Sequence, residues 1–183
     1  MKQISFPSIG QFPTIVADIS RHITYVGDDE NGDAIYDPTI PKPTLTFKGT
    51  IKLHGTNAGV SYNDEDGIWA QSRTGIITPM KDNAGFAFFV ESKKGEFLKI
   101  INQIKVRENI DTSIYTLTIY GEWVGQKIQS NVAIANLEKS LFIFGVKVSK
   151  IDDLDFKAYW VDCSNLRDSD HRIYNILDYK TYE

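Results

Sequence analysis

The chain has 183 residues, 42% of them hydrophobic and 24% charged, with a formal net charge of −4 at pH 7. That length and balance suit one soluble globular domain with a buried core, and they exclude bulk positive charge as a device for binding nucleic acid, local basic patches aside. A single cysteine, Cys163, excludes an intrachain disulfide and a multi-cysteine zinc site.

One unpaired cysteine fits a reducing compartment. The first residues, Met1-Lys2-Gln3-Ile4-Ser5, lack the apolar core of a signal peptide, and no run reaches membrane-spanning length. The expectation is a cytoplasmic protein with no membrane association, folded as a single domain over 1–183.

In chain order, residues 1–43 carry Pro7, Pro13, Pro38, Pro41 and Pro43. Proline at that density predicts an irregular segment without helix. The acidic run Gly27–Asp33 lacks the spacing and closing Glu of an EF-hand loop and reads as a solvated hairpin turn. From Leu45 the residues alternate, predicting a strand over Thr44–Ile51. Ala58–Tyr62 and Ile68–Gln71 read as a hairpin around Asn63-Asp64-Glu65-Asp66-Gly67.

Phe97, Leu98, Ile101 and Ile104 keep helical spacing. Ala84–Ser92 reads as a shorter helix whose Phe86, Phe88 and Phe89 belong to the core, with Gly95 separating the two. Ile114–Tyr120 is β-branched and aromatic and breaks at Gly121-Glu122-Trp123-Val124-Gly125. Leu141–Val148 and, after the acidic turn Asp152–Asp155, Ala158–Val161 are further strands. Ile173, Ile176 and Leu177 suggest a short helix within Asn165–Glu183. Strands and helices do not alternate, so the fold class is α+β with mainly antiparallel strands rather than parallel α/β.

The most informative stretch is Lys52-Leu53-His54-Gly55-Thr56-Asn57, placed between two of these strands. It puts one amine beside a tight turn rich in hydrogen-bonding groups. A lysine that loses its proton is a nucleophile, whereas an ordinary hairpin has no use for one at its entrance. Taken alone it reads as a surface lysine. Arg73, Glu122 and the pair Phe142/Phe144 likewise have plain readings as a surface arginine, a turn residue and core aromatics. His22 and His171 are read as structural or surface residues.

Read in order, these groups resemble the motif series of the RNA ligase 2 family of phage-type RNA ligases. That family lies within the covalent nucleotidyltransferases, which also include DNA ligases and messenger RNA capping enzymes. Lys52–Asn57 resembles the nucleotide-accepting motif K-x-H-G-x-N, with His54 where DNA ligases and capping enzymes usually carry Asp. Ser72-Arg73-Thr74-Gly75 is similar to the motif whose arginine contacts the nucleotide. Gly121–Gly125 is similar to the one whose glutamate, here Glu122, holds the ribose, and the likeness continues through Ile128–Val132. Leu141–Phe144 resembles the strand whose phenylalanine stacks on adenine, with Phe144 the better match. The likeness spans Thr44 to Val148.

The resemblance implies a nucleotidyltransferase (adenylyltransferase, ATP-grasp-like) fold, with an irregular segment over 1–43, the nucleotide-site motifs over 44–148 and an incomplete tail over 149–183. It implies ATP and Mg2+ as cofactors, AMP held covalently on Lys52, and RNA ends or nicked RNA as partners. Lys52 and His54 are the catalytic candidates, with His54 acting after the lysine is adenylylated. Lys52, Arg73, Glu122, Phe144 and Ile51 form the nucleotide set, and Gly55, Thr56 and Asn57 support it.

Two positions depart from the pattern: Gly145 stands where Asp is common, and Ile51 replaces a frequent Glu. The later E-G-x-V and K-x-K motifs have no counterpart, and Lys147 and Lys150 are wrongly spaced to replace them. The expectation is therefore the front portion of an adenylyltransferase, weak or inactive in ligation by itself. The alternatives are a non-catalytic nucleotide- or RNA-binding chain and a DNA ligase or capping relative.

Overall fold

Proline does not keep helix out of the amino-terminal region. In the structure, a computed structural model describing residues 1–47, 49–152, 156–179 and 181–182, Phe12–Thr24 forms helix α1. Pro13 sits in its first turn, where a missing N–H costs no intrahelical bond and the fixed φ is already helical. The expected irregular segment is corrected on that ground. β1 (Tyr25–Asp28) and β2 (Ala34–Tyr36) follow as an antiparallel hairpin. The Asp29 carboxylate closes its turn by accepting from the Asn31 and Asp33 backbone N–H groups at 2.8 and 2.9 Å.

By its contacts the chain divides into two compact units, Pro7–Lys48 and a larger one made of Met1–Phe6 with Gly49–Tyr182. Among the described residues of the first, Thr24 alone is buried.

The larger unit contains β3 (Gly49–Thr50), β4 (Thr56–Asn63), β5 (Gly67–Ser72), β6 (Ile76–Ile77), α2 (Phe86–Ser92), α3 (Lys94–Glu108), β7 (Tyr115–Val124), β8 (Ser140–Lys150), β9 (Tyr159–Val161), β10 (Ile173–Asn175) and β11 (Thr181–Tyr182). One sheet runs β10-β8-β7-β4-β5-β6, with β9 also paired to β8, and β3 pairs separately with β11. The pairs are antiparallel except β10 beside β8, which is parallel. Mixed α and β with mainly antiparallel pairing agrees with the α+β expectation.

Period two assigns the faces. Leu117, Ile119 and Trp123 of β7, Leu141 and Ile143 of β8, and Val60 of β4 join Phe86, Phe89, Phe97, Ile101 and Ile104 of the helices in one core. The other face carries polar cross-strand pairs such as Ser61 Oγ with Thr118 Oγ1 at 2.9 Å, and is strapped by Met1–Phe6. There Ile4 N donates to Gln71 Oε1 at 3.0 Å, and Ile4 O accepts from Gln71 Nε2 at 2.6 Å and Tyr120 Oη at 2.5 Å.

Several elements differ from the sequence reading. The strand expected over Thr44–Ile51 is reduced to Gly49–Thr50, and Lys48 lies outside the described residues, as does most of the acidic turn Asp152–Asp155. The helices part at Lys93 rather than Gly95, which sits inside the first turn of α3. β7 does not break at Gly121 but runs on to Val124. Gly121 is a spacing requirement, since an added Cβ would lie 2.6 Å from Leu141 Cδ1 and 2.8 Å from Phe142 O. The irregularity there is a bulge: Gly121 pairs with Ile143 and Tyr120 with Gly145, leaving Phe144 as the extra residue. The expected terminal helix is instead the three-residue strand β10 followed by a 3-10 turn at Ile176–Asp178, in which Asn175 Oδ1 accepts from Leu177 N. Phe86 and Phe89 are core as expected, but Phe88 is 66% exposed.

Candidate active site

The lysine stretch lies in the connection between β3 and β4, and Gly55 ties it to the sheet. Gly55 N donates to Glu122 Oε1 at 2.9 Å, and Gly55 O accepts from Gln129 Nε2 at 3.3 Å. Only glycine fits here: a Cβ would stand 2.2 Å from Trp123 O and 2.8 Å from Val124 Cγ1. The backbone just after Lys52 and His54 is therefore pressed against the end of β7.

Glu122 is placed by register. Asn57 of β4, Glu122 of β7 and Phe142 of β8 are successive cross-strand partners and so share one face of the sheet. Burial pushes the Glu122 carboxyl above its ordinary value, while the Gly55 N–H and the nearby Lys52 and His54 side chains act in the opposite sense. Lys52 and His54 are themselves exposed, and Thr56 and Asn57 are half-buried.

Arg73 is exposed just beyond β5, in a cleft of about 410 Å³ that it shares with Thr56, Lys81, Asp82 and Asn83. Asn83 Nδ2 reaches Thr56 Oγ1 at 3.5 Å. The Arg73 carbonyl accepts from Gln3 Nε2 at 2.9 Å, which fixes the turn that carries the guanidinium. Ile51 is 47% exposed at the entrance to the lysine stretch.

The two phenylalanines diverge. Phe142, the register partner of Glu122, is buried against Tyr174 and Tyr179, with ring centroids 5.1 and 5.2 Å away. Phe144, on the bulge, is half-buried and meets the edge of Phe6 at 5.1 Å. The structure thus gathers Lys52, His54, Gly55, Asn57 and Glu122 at one locus and puts Thr56 beside Arg73. Phe144 lies one step further along the Glu122 face, beside the Tyr120–Phe6 contact.

Gln129 and Asn83, which hold Gly55 and Thr56, carried no role in the sequence reading. Gln129 fell inside the motif likeness, whereas nothing local pointed to Asn83. Among the described residues, no three His, Cys, Asp or Glu side chains gather to hold a metal ion.

A protein-family model described as RNA ligase matches residues 46–174, well over half of the chain. The chain belongs to the RNA ligase family. The matched segment contains every candidate named above: Ile51, Lys52, His54, Gly55, Thr56, Asn57, Arg73, Glu122 and Phe144. Membership supports a ligase-type enzyme with RNA as its substrate class. No curated protein matches the chain. Among the described residues of this RNA ligase family member, no helix is long and apolar enough to cross a membrane.

Proposed function

We propose that this chain is the adenylyltransferase part of an ATP-dependent RNA ligase of the RNA ligase 2 type, with Lys52 as the nucleophile. The observation that carries the reading is the clamp of Gly55 N–H on the Glu122 carboxylate. It brings the Lys52–Gly55 stretch to the one half-buried acid of the site.

In the first step the Lys52 Nζ lone pair forms a bond to the α-phosphorus of ATP. The bond from that phosphorus to the bridging oxygen breaks, pyrophosphate leaves, and the amine proton passes to solvent. Glu122 accepts hydrogen bonds from the ribose hydroxyls, Arg73 forks to phosphate oxygens, and Phe144 offers a flat face to the purine. An oxygen of an RNA 5′-phosphate then displaces Lys52 from the adenylyl phosphorus, with His54 acting at this stage. Attack of a 3′-hydroxyl on the activated 5′-phosphorus joins the ends and releases AMP.

Mg2+ fits this site as an ion carried by the triphosphate, because a single half-buried carboxylate already engaged by Gly55 suits an ion ligated mainly by phosphate and water. It supplies neutralisation of the phosphate charge. The E-G-x-V and K-x-K motifs of the family are absent from this sequence. Sealing by the chain on its own is therefore expected to be slow even where the first step proceeds.

The decisive experiment is incubation with α-labelled ATP and magnesium, followed by denaturation. The expected result is acid-labile label on the protein that Lys52→Ala abolishes. A protein that binds ATP yet takes up no label would instead be a non-catalytic nucleotide binder.

A further inference from the structure

Phe88 stands exposed on α2 between buried neighbours. It borders a cleft of about 460 Å³ whose other walls carry Lys127, Lys139, Arg172 and the buried ring of Trp123. Lys139 donates to Ala84 O at 2.6 Å, which fixes its ammonium on the wall. The acid on the rim, Glu138, reaches Arg172 at 3.2 Å from a side chain that is 78% exposed, so solvent screens the pair. Three cations against one acid reverse locally the sign of a chain whose net charge is −4. An exposed aromatic face ringed by cations matches single-stranded nucleic acid, whose bases stack on the ring while the phosphates meet the charges.

The cleft lies on the helix-covered side of the sheet, opposite the face that carries Glu122, and is joined to the candidate active site through the chain. Trp123 in its wall follows Glu122 and pairs with Thr56. The loop that carries Lys127 also carries Gln129, which holds Gly55.

We propose that this cleft binds a single-stranded segment of the RNA substrate, with one base stacked on Phe88 and phosphates on Lys127, Lys139 and Arg172. The inference rests on the ligase reading of the Lys52 site, and its test is separable from that reading.

The probe is a short, non-self-complementary, 5′-phosphorylated RNA carrying a dye, titrated against the protein by fluorescence anisotropy over a salt series. Phe88→Ala is expected to weaken binding about tenfold. The double change Lys127→Ala with Arg172→Ala is expected to flatten the plot of log affinity against log salt by about 0.7 for each lost phosphate contact. Lys99→Ala, the loss of one charge on the exposed side of α3, should leave the slope near that of the unsubstituted protein. Circular dichroism checks that each variant is folded.

Absence of RNA binding would overturn the inference, as would affinity indifferent to Phe88 or tighter binding of duplex RNA. If the unsubstituted protein takes no label from ATP yet binds the oligonucleotide through Phe88, the cleft stands and the nucleophile reading falls.

Discussion

Glu122 and Lys52 belong to one candidate site, but the chain holds them by different means. Glu122 sits within a ten-residue strand paired on both sides, next to Trp123, which is buried against Phe86 and Phe89. Lys52 lies in an unpaired connection, exposed, and is tied to the sheet through Gly55 three residues on. The carboxylate side is thus built into the fold, while the amine side is fastened to it at a glycine. Substitutions on the first side should cost stability, substitutions of the exposed amine should cost chemistry alone, and a change at the glycine that joins them should cost both.

The largest effect is expected at Trp123. Its ring lies 4.7 Å from that of Phe89 and its Nε1 donates to Ala84 O at 3.1 Å. Trp123→Ala opens a cavity and removes one of the two donors to that carbonyl, which keeps Lys139 Nζ, at a cost of about 3–5 kcal/mol read from urea denaturation. A loss below about 1 kcal/mol would mean that the carboxylate side is not the rigid one.

Gly55→Ala tests the fastening. A methyl 2.2 Å from Trp123 O has to move backbone rather than a flexible side chain. The expected cost is about 1–3 kcal/mol, accompanied by loss of the label that ATP leaves on the protein, since the shift draws Lys52 away from Glu122. Full labelling of a stable Gly55→Ala protein would break the link between the two sides.

A smaller effect is expected from the charge on Glu122. Burial raises its carboxyl above the ordinary 4.5. Between that value and the raised one, the folded chain keeps a proton that the unfolded chain has lost. The stability tied to this group is therefore full below 4.5 and lost as pH climbs through the raised value. Glutamine does not titrate, so Glu122→Gln should remove that part of the decline. Urea midpoints across pH would show the unsubstituted protein gaining on the variant as pH is lowered from neutrality, and a constant difference would place Glu122 in a solvent-like setting.

The same contrast explains what was legible in the sequence. The strands around Val60, Trp69, Ile119 and Ile143 could be read because alternation over several residues reports a half-buried sheet. The order of Lys52, Arg73, Glu122 and Phe144 could be read because a motif series survives as letters. Gly121 was misread as a break because a glycine that permits close approach of Leu141 looks, in sequence, like one that ends a strand. Pro13 was misread because its cost depends on position within a helix that periodicity did not reveal. Phe88 was misread because a short apolar run fixes no helical phase. β10 is three residues long, too short to show a pattern, and its pairing with β8 is a tertiary fact. Gln129 and Asn83 act on residues far along the chain, and nothing in their own neighbourhoods announces it.

The smallest expected effect is the sharpest test of the comparison. Lys52 and Arg73 are both exposed, one in an unpaired connection and one on a turn held through its backbone carbonyl by Gln3. Lys52→Ala and Arg73→Ala should therefore each leave stability within about 0.5 kcal/mol of the unsubstituted protein, the range expected of surface positions. Labelling should respond very differently, vanishing in the first and falling in the second, where a forked phosphate contact is lost. A protein in which Lys52→Ala removed the label and several kcal/mol of stability together would make the amine a structural element of the fold. The division between a built-in acid and a fastened nucleophile would then be lost.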